Sequence, residues 1–431
     1  MHQPLKNVSN ILSKIISHGS TKLFSISEDA NEYKKLKRTI NGDNKNSDVS
    51  PDIINKALME QACEKLKNEQ SIILIHDPSD IRKPYSSEAE DIGKVRDLNG
   101  RIINGYSTHN VIALSDKQQE ITLISNVTYS NKSSNFLHQD TIHKLDKNIE
   151  FSGKDTAKKL YQSKDYFNKK TITKEEIRKS SEGLKEGIKS VSITHILDRE
   201  FDDNDYIQYI NELNDQFIIR SKKSRTLDII NKDNKKQKLI SYDFANFSSI
   251  KFQKLSIKNK TIQDGSIKVE WDKFDDFTAI KISILDRNNC NIYDDSMLLL
   301  TNQNIDTLEQ AYSIYKNYLK RSKIEYVFKF LKDGLGWEDM QVQDYKAIEN
   351  LISIAFYAAS YLYEIGKEYA HDDYTVMLAS LGDGKGKVTR HFILKGIHVV
   401  MNYCKFELHR RKHNLSDEFV DGLKNAFTVE Y

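Results

Sequence analysis

Two short apolar runs that each stop at an aspartate constrain this chain most. Ser71-Ile-Ile-Leu-Ile-His76 halts at Asp77-Pro78, and Ser190 to Leu197 halts at Asp198. Runs of this length, rich in Ile and closed by a turn signal, read as buried strands. The second is followed by a helical pattern from Asp203 to Leu213 and by a further strand, Gln216 to Arg220. A strand, helix, strand unit implies a parallel pair, and such sheets gather ligands at the carboxyl ends of their strands. Both aspartates are expected at such ends, so two carboxylates would face one cleft.

Around this unit the chain reads in segments. Residues 1 to 68 are helical, with the polar loop 41 to 50 between two periodic runs. Tyr33-Lys34-Lys35-Leu36-Lys37-Arg38 is a dense basic patch that suits either a solvated helix face or DNA contact. Tyr106 to Leu114 and Glu120 to Asn126, joined by the polar loop Ser115 to Gln119, read as an antiparallel hairpin. Residues 127 to 189 are polar and Lys-rich, helical in their second half. From 224 to 291 the pattern alternates, as at Ile280, Ile282 and Ile284, and reads as a β-rich insertion. Met297 to Leu300 returns as a core strand, Ile305 to Lys332 is a long helix, and Tyr345 to Tyr431 is helical with a Gly-rich break at 382 to 386. The apolar run Leu351 to Leu362 suits either core packing or contacts between two copies of the chain.

At 431 residues the chain is too long for one compact core. Lys+Arg 65 against Asp+Glu 62 leaves no field over the whole protein, so any polyanion site must come from local clustering. Cys63, Cys290 and Cys404 are far apart and offer neither a zinc pair nor a framework of bridges, which fits a reducing cytoplasm. The N-terminus lacks a continuous apolar stretch, and Leu351 to Leu362 is short of the roughly 20 residues a membrane span needs. Neither secretion nor membrane insertion is expected.

On the long helix Tyr318, Arg321, Glu325 and Lys332 fall within about 60° of arc at roughly 100° per residue. Ile324, Phe328 and Leu331 form the adjoining apolar stripe, which places Glu325 at the border of core and cleft. A charged helical stripe of this kind is by itself most often a solvated face.

The spacing Tyr318-x2-Arg321-x3-Glu325-x6-Lys332 matches, gap for gap, the signature of the bacterial cut-and-paste DDE transposases of the insertion-sequence-four family. Ile73-Leu-Ile-His-Asp77-Pro-Ser-Asp80-Ile resembles the family's first-Asp strand. Leu197-Asp198-Arg199-Glu200 followed by Phe217-Ile-Ile-Arg-Ser-Lys222 is similar to its second-Asp block. Leu298-Leu-Leu-Thr301, Lys332-Asp-Gly-Leu-Gly336 and the stretch 381 to 397 also look like family features, so the resemblance covers most of residues 33 to 365. It implies an RNase H-like α/β core, in two parts at 69 to 223 and 292 to 344, interrupted by the β-rich insertion at 224 to 291. A helical DNA-binding region would precede the core at 1 to 68, and a helical region for dimer and DNA contacts would follow at 345 to 431.

Carried over by position, the resemblance makes Asp77, Asp198 and Glu325 the catalytic, metal-binding triad. Tyr318, Arg321 and Lys332 would hold DNA phosphate. Three carboxylates gathered in a cleft repel one another unless cations neutralise them, and two Mg²⁺ about 3.5 to 4 Å apart clamp the attacking and leaving oxygens of an in-line phosphoryl transfer. Mn²⁺ would substitute. The expected partners are double-stranded DNA, as transposon ends and target, and a second copy of the chain on paired ends, in the bacterial cytoplasm at the nucleoid. The family frees a 3′-hydroxyl that attacks the opposite strand, giving a hairpin that is reopened before strand transfer. Members that form hairpins often carry a tryptophan before the Leu-Leu-Leu strand. Met297 stands there in this chain, with Trp271 or Trp337 as candidates to compensate.

Other residues carry weaker signals. Asp80 is a rival first ligand, though Pro78-Ser79-Asp80 suits a turn or helix cap. His76 and His195 suit packing beside the site. Asp202, Asp203 and Asp205 suit a helix N-terminus. Gly382-x-Gly-x-Gly386 lacks the spacing of a nucleotide cradle and reads as a turn. Lys385, Lys387, Arg390, Lys395, Lys405, Arg410, Arg411 and Lys412 stand against one acid, Glu407, between 384 and 413. Such an excess suits DNA-backbone binding or a solvated helix surface, and Lys222, Lys223 and Arg225 repeat it more weakly. A non-catalytic DNA-binding derivative of a transposase, and an RNase H-like nuclease without strand joining, are the alternative functions.

Overall fold

A computed structural model of the chain describes residues 3–42, 49–115, 120–138, 166–230, 236–257, 260–368, 370–385 and 387–416. Most of the expected loops 41 to 50 and 115 to 119, the middle of the Lys-rich segment 127 to 189, Gly386 and the end of the C-terminal region lie outside these residues. In chain order the helices are α1 Gln3–His18, α2 Leu23–Ile26, α3 Ala30–Asn41, α4 Pro51–Leu66, α5 Lys169–Gly187, α6 Asn204–Glu212, α7 Leu308–Leu319, α8 Lys323–Lys329, α9 Tyr345–Glu368, α10 Asp373–Leu381 and α11 Arg390–Lys412. The chain divides into a sheet unit, Ser50–Phe328 with Gln343–Ser353, and a helical unit, Met1–Val49 with Lys329–Val342 and Ile354–Tyr431.

The sheet unit is a mixed α/β structure. Its strands are β1 Ser71–Arg82, β2 Gly93–Arg96, β3 Ile102–Ser115, β4 Ile121–Tyr129, β5 Ser192–Leu197, β6 Gln216–Arg220, β7 Thr226–Ile230, β8 Lys236–Lys238, β9 Asn246–Ile257, β10 Lys260–Lys273, β11 Thr278–Leu285 and β12 Met297–Thr301. Ten of them form one sheet in the order β2-β3-β1-β5-β6-β12-β11-β10-β9, with β4 pairing β3, while β7 and β8 form a separate hairpin. β1 pairs parallel with β5, and β5 with β6. The other pairs in the sheet are antiparallel. Ile72 to Ile75 are buried; β1 lies in the sheet interior with a neighbour on each side, and Ile72 and Leu74 pack under helices.

The expected β3/β4 hairpin, the β5, α6, β6 unit and the return of β12 to the core sheet are all present. The β-rich segment 224 to 291 is less detached than the word insertion suggests, because β11 pairs with β12 and carries β10 and β9 onward as an extension of the same sheet.

Helices α4 and α5 cover one sheet face, where Ala62, Leu66 and Leu184 meet Ile72, Leu74, Val111 and Ile193. α5 begins with a reciprocal capping box between Asn168 and Thr171, and α7 with one between Thr307 and Gln310. The helix expected over 305 to 332 is interrupted: a 3₁₀ turn, Lys320–Ser322, separates α7 from α8, and a π-helical turn, Phe330–Gly334, follows α8.

In the helical unit Ile11, Ile15, Leu36, Ile40, Trp337, Phe356, Ile393 and Leu394 are buried, and His398 Nε2 lies 2.9 Å from the carbonyl of Ile16. α10 and α11 pack closely because Gly396 has no side chain; a Cβ there would stand 1.8 Å from the carbonyl oxygen of Leu378. Gly382 is the C-cap residue of α10 and opens a turn within 382 to 385, the described part of the expected break at 382 to 386. Leu351, Ile352, Ile354, Ala355, Phe356, Ala358, Ala359 and Leu362 are all buried within the single chain, so this run belongs to its interior. No helix among the described residues is long and apolar enough to cross a membrane.

Candidate active site

The parallel ladder between β1 and β5 runs from Ser71↔Ser192 to Ile75↔Ile196. Two residues further along each strand stand Asp77 and Asp198, at equivalent levels. Alternation turns Asp77 away from Leu74 and His76, hence away from the face covered by α4 and α5. Asp198 ends β5 as expected and accepts from Arg199 N over 2.7 Å at the head of a 3₁₀ turn. Asp77 does not end a strand: β1 continues to Arg82, with Asp77 opposite Asn110 of β3. The reason is that β3 stays paired to β1 after β5 has diverged, so the parallel ladder stops at Ile75 while the antiparallel one continues.

The third carboxylate, Glu325, comes from α8, and a guanidinium joins all three. Arg321 Nη1 donates to Asp77 Oδ2 over 3.2 Å, and its Nη2 donates to Glu325 Oε1 over 2.7 Å and lies 3.9 Å from Asp198 Oδ2. The Tyr318 hydroxyl donates to Asp198 Oδ1 over 3.1 Å. Tyr318, Arg321 and Glu325 thus meet Asp77 and Asp198, as the motif anticipates. The side chain of Arg321 is 18% exposed and that of Asp77 15%, whereas Glu325 is 58% exposed and forms the open side of the group. Burial pushes the Asp77 carboxyl up to about 7; Arg321 opposes the shift, and the charges of Asp198, Glu200 and Glu325 add to it. Lys332 belongs to the helical unit, where its Nζ is 3.3 Å from Glu338 Oε1.

These carboxylates make a donor set that suits a hard divalent cation, since oxygen atoms from three elements already converge on a cationic group. Among the described residues no three His, Cys, Asp or Glu side chains stand close enough to form a metal-ion shell unaided. Here the carboxylates are spread around a planar guanidinium, which is wider than a metal ion.

Behind β1 lies a row of buried polar groups that the sequence only partly signals. His76 Nε2 is 2.9 Å from His195 Nδ1, and His76 Nδ1 is 3.4 Å from His109 Nε2. His195 Nε2 reaches Asp215 Oδ2 at 3.1 Å, and Lys185 Nζ reaches Asp215 Oδ1 at 2.7 Å. Burial lowers the His76 ring well below the usual histidine range and takes His109 down to about 3, so both stay neutral. The row ties β3, β1 and β5 together, with His76 next to Asp77 in the chain. His76 and His195 were legible as packing residues; His109 and Asp215 give no local pattern, because their role depends on strand neighbours distant in sequence.

Several weaker sequence signals resolve differently. Asp80 is neither turn nor cap: it lies within β1, accepts from Ser107 Oγ over 3.1 Å and from Arg96 N over 3.3 Å, and by alternation faces away from Asp77. Asp203 caps α6, with Asp205 in the first turn, but Asp202 is buried and accepts from Lys222 N over 2.7 Å and from Arg225. Arg225 and Lys223 are paired, with Asp202 and Asp295 respectively, and Lys222 Nζ donates to the Asp202 carbonyl. By contrast Lys34, Lys35, Lys37 and Arg38 are exposed around a buried Leu36.

A cavity of about 770 Å³ is lined by Arg199, the residue after Asp198, and by Arg220, Tyr293, Met297, Tyr312 and Tyr315 among others. Neither tryptophan lines it. Trp271 is buried on β10, and Trp337 is buried in the helical unit.

No protein-family model matches the chain, and no curated protein matches it.

Proposed function

We propose that this chain is a DNA transposase that cleaves the ends of its own insertion sequence and joins them to target DNA. The observation that carries the reading is the meeting of Asp77, Asp198 and Glu325 on one guanidinium, delivered by β1, the end of β5 and α8. The strand order β4-β3-β1-β5-β6, antiparallel on one side of β1 and parallel on the other, supports the RNase H-like core that the motif resemblance implies.

In this reading Asp77, Asp198 and Glu325 hold two Mg²⁺ ions, or Mn²⁺ in their place. When bound, the ions polarise the scissile phosphate and stabilise charge on the attacking and leaving oxygens. Arg321 presents a planar fork of donors that grips a phosphate bidentately, fixing the strand without reading its bases. Tyr318 holds Asp198 in place. The exposed cations of α3 and α11 supply sequence-independent attraction to the duplex. The working form is a dimer on two DNA ends, in the cytoplasm at the nucleoid.

Strand joining separates this function from that of a nuclease. Incubation with Mg²⁺, DNA carrying the ends of the encoding element and a plasmid target should yield covalent end-to-target products. Cleavage without any joined product would favour the nuclease.

A further inference from the structure

We infer that Arg321 is an internal cation that holds the place of the divalent ions in the DNA-free chain and yields it to them when a DNA phosphate engages its guanidinium. The inference rests on the reading that Asp77, Asp198 and Glu325 are metal ligands. Its basis is geometric. Arg321 touches Asp77 and Glu325 through separate nitrogens, and it approaches Asp198. A guanidinium so placed and a divalent ion bound to the same oxygens compete for space and for negative charge.

Two features make the exchange feasible. Arg321 lies in the 3₁₀ turn Lys320–Ser322 between α7 and α8, where its backbone is not part of a continuous α-helical ladder, and such breaks often mark a hinge. The fork that now engages carboxylate oxygens has the geometry to engage phosphate oxygens instead, so a phosphate is an equivalent resting place for the same donors. Linkage then requires reciprocity: metal binding frees Arg321 for phosphate, and phosphate binding frees the carboxylates for metal. The consequence is a site that loads its metal chiefly on DNA.

The experiment is Mn²⁺ titration of the full-length, DNA-free chain, with the free aquo ion followed by electron paramagnetic resonance. Arg321→Gln, which keeps hydrogen-bond donors and removes the charge, and Arg321→Ala should each bind Mn²⁺ on the order of tenfold more tightly than wild type. The added affinity should vanish in an Asp77→Asn/Arg321→Gln double variant. Either single variant binding Mn²⁺ no more tightly than wild type, while Asp77→Asn still weakens binding, would overturn the inference and leave the metal site standing. Absence of any Asp77-dependent Mn²⁺ binding in all proteins would instead overturn the metal-site reading, and this inference with it. At constant ionic strength, Mn²⁺ should tighten binding of a fluorescent end duplex several-fold more for wild type than for Arg321→Gln. Equal tightening in both would also contradict the exchange.

Discussion

The Tyr318 hydroxyl donates to Asp198 Oδ1 across 3.1 Å, tying the first residue of the helical motif to the carboxylate at the end of β5. Burial, and then the charge of Asp198, push the phenol above its ordinary range, so it remains a proton donor. A hydrogen bond to a charged group contributes roughly 1.5 to 3 kcal/mol. Tyr318→Phe should therefore lower stability by an amount near the bottom of that range and raise the Mg²⁺ concentration needed for half-maximal cleavage a few fold. Denaturant melts and a Mg²⁺ titration of end cleavage check this. An unchanged Mg²⁺ requirement would show that Tyr318 does not position Asp198.

Glu349 provides a pH test independent of the candidate site. Burial raises its carboxyl to about 7; the Tyr345 hydrogen bond opposes this, and the charges of Asp52 and Asp91 reinforce it. In the unfolded chain the group returns to about 4.3. Between these values the folded chain retains a proton that the unfolded chain has lost, so this residue's contribution to stability falls as pH rises from about 4 to about 7 and is constant above. Glu349→Gln should consequently gain stability relative to wild type across that window. Urea unfolding of the full-length chain at a series of pH values measures it, and a pH-independent difference would refute the assignment.

The fold was legible wherever the signal is local. Strands β1, β5 and β6 show as apolar runs, the β3/β4 hairpin by alternation, and α6 by its acidic start. Long-range pairing was not legible. Nothing in Asp77-Pro78 reveals that β3 holds β1 extended to Arg82, and nothing between 224 and 291 reveals that β11 docks on β12. Apolar content alone did not decide whether Leu351 to Leu362 meets a second copy or the interior, and burial assigns it to the interior. At the site, the spacing from Tyr318 to Glu325 anticipated one shared helical stripe. It carried no sign that Arg321 would turn toward the carboxylates, because that preference arises only once three acids surround it.

Helix α11 tests the DNA-backbone contribution. Lys395, Lys405, Arg411 and Lys412 are exposed on it. Each cation that neutralises a phosphate adds about 0.9 to the slope of log affinity against log salt. Replacing Lys405, Arg411 and Lys412 together by Gln should reduce the slope by roughly 2 to 3 and weaken end and unrelated duplexes alike. Anisotropy titrations over a range of salt provide the readout; an unaltered slope would mark α11 as a solvated surface.

Met297 lines the tyrosine-rich cavity that Arg199, the residue after Asp198, also lines. Base-aromatic stacking is worth roughly 1 to 3 kcal/mol, and a thioether offers no aromatic face. If an extruded base enters this cavity, Tyr293, Tyr312 and Tyr315 are the aromatic side chains at hand. Met297→Trp should raise or preserve the yield of hairpin ends on denaturing gels. A sharp loss would exclude the position from a base pocket.

The most direct measurement compares wild type with Glu325→Gln on DNA carrying the element ends. This substitution keeps the shape of the side chain and deletes the charge that a divalent ion requires, leaving the basic surfaces of α3 and α11 unchanged. The predicted result is Mg²⁺-dependent end cleavage by wild type and none by Glu325→Gln, with gel-shift affinities for the same DNA within a few fold of each other. Robust cleavage by Glu325→Gln, or by wild type in excess chelator, would contradict the assignment of Asp77, Asp198 and Glu325 as the metal-binding centre of a transposase.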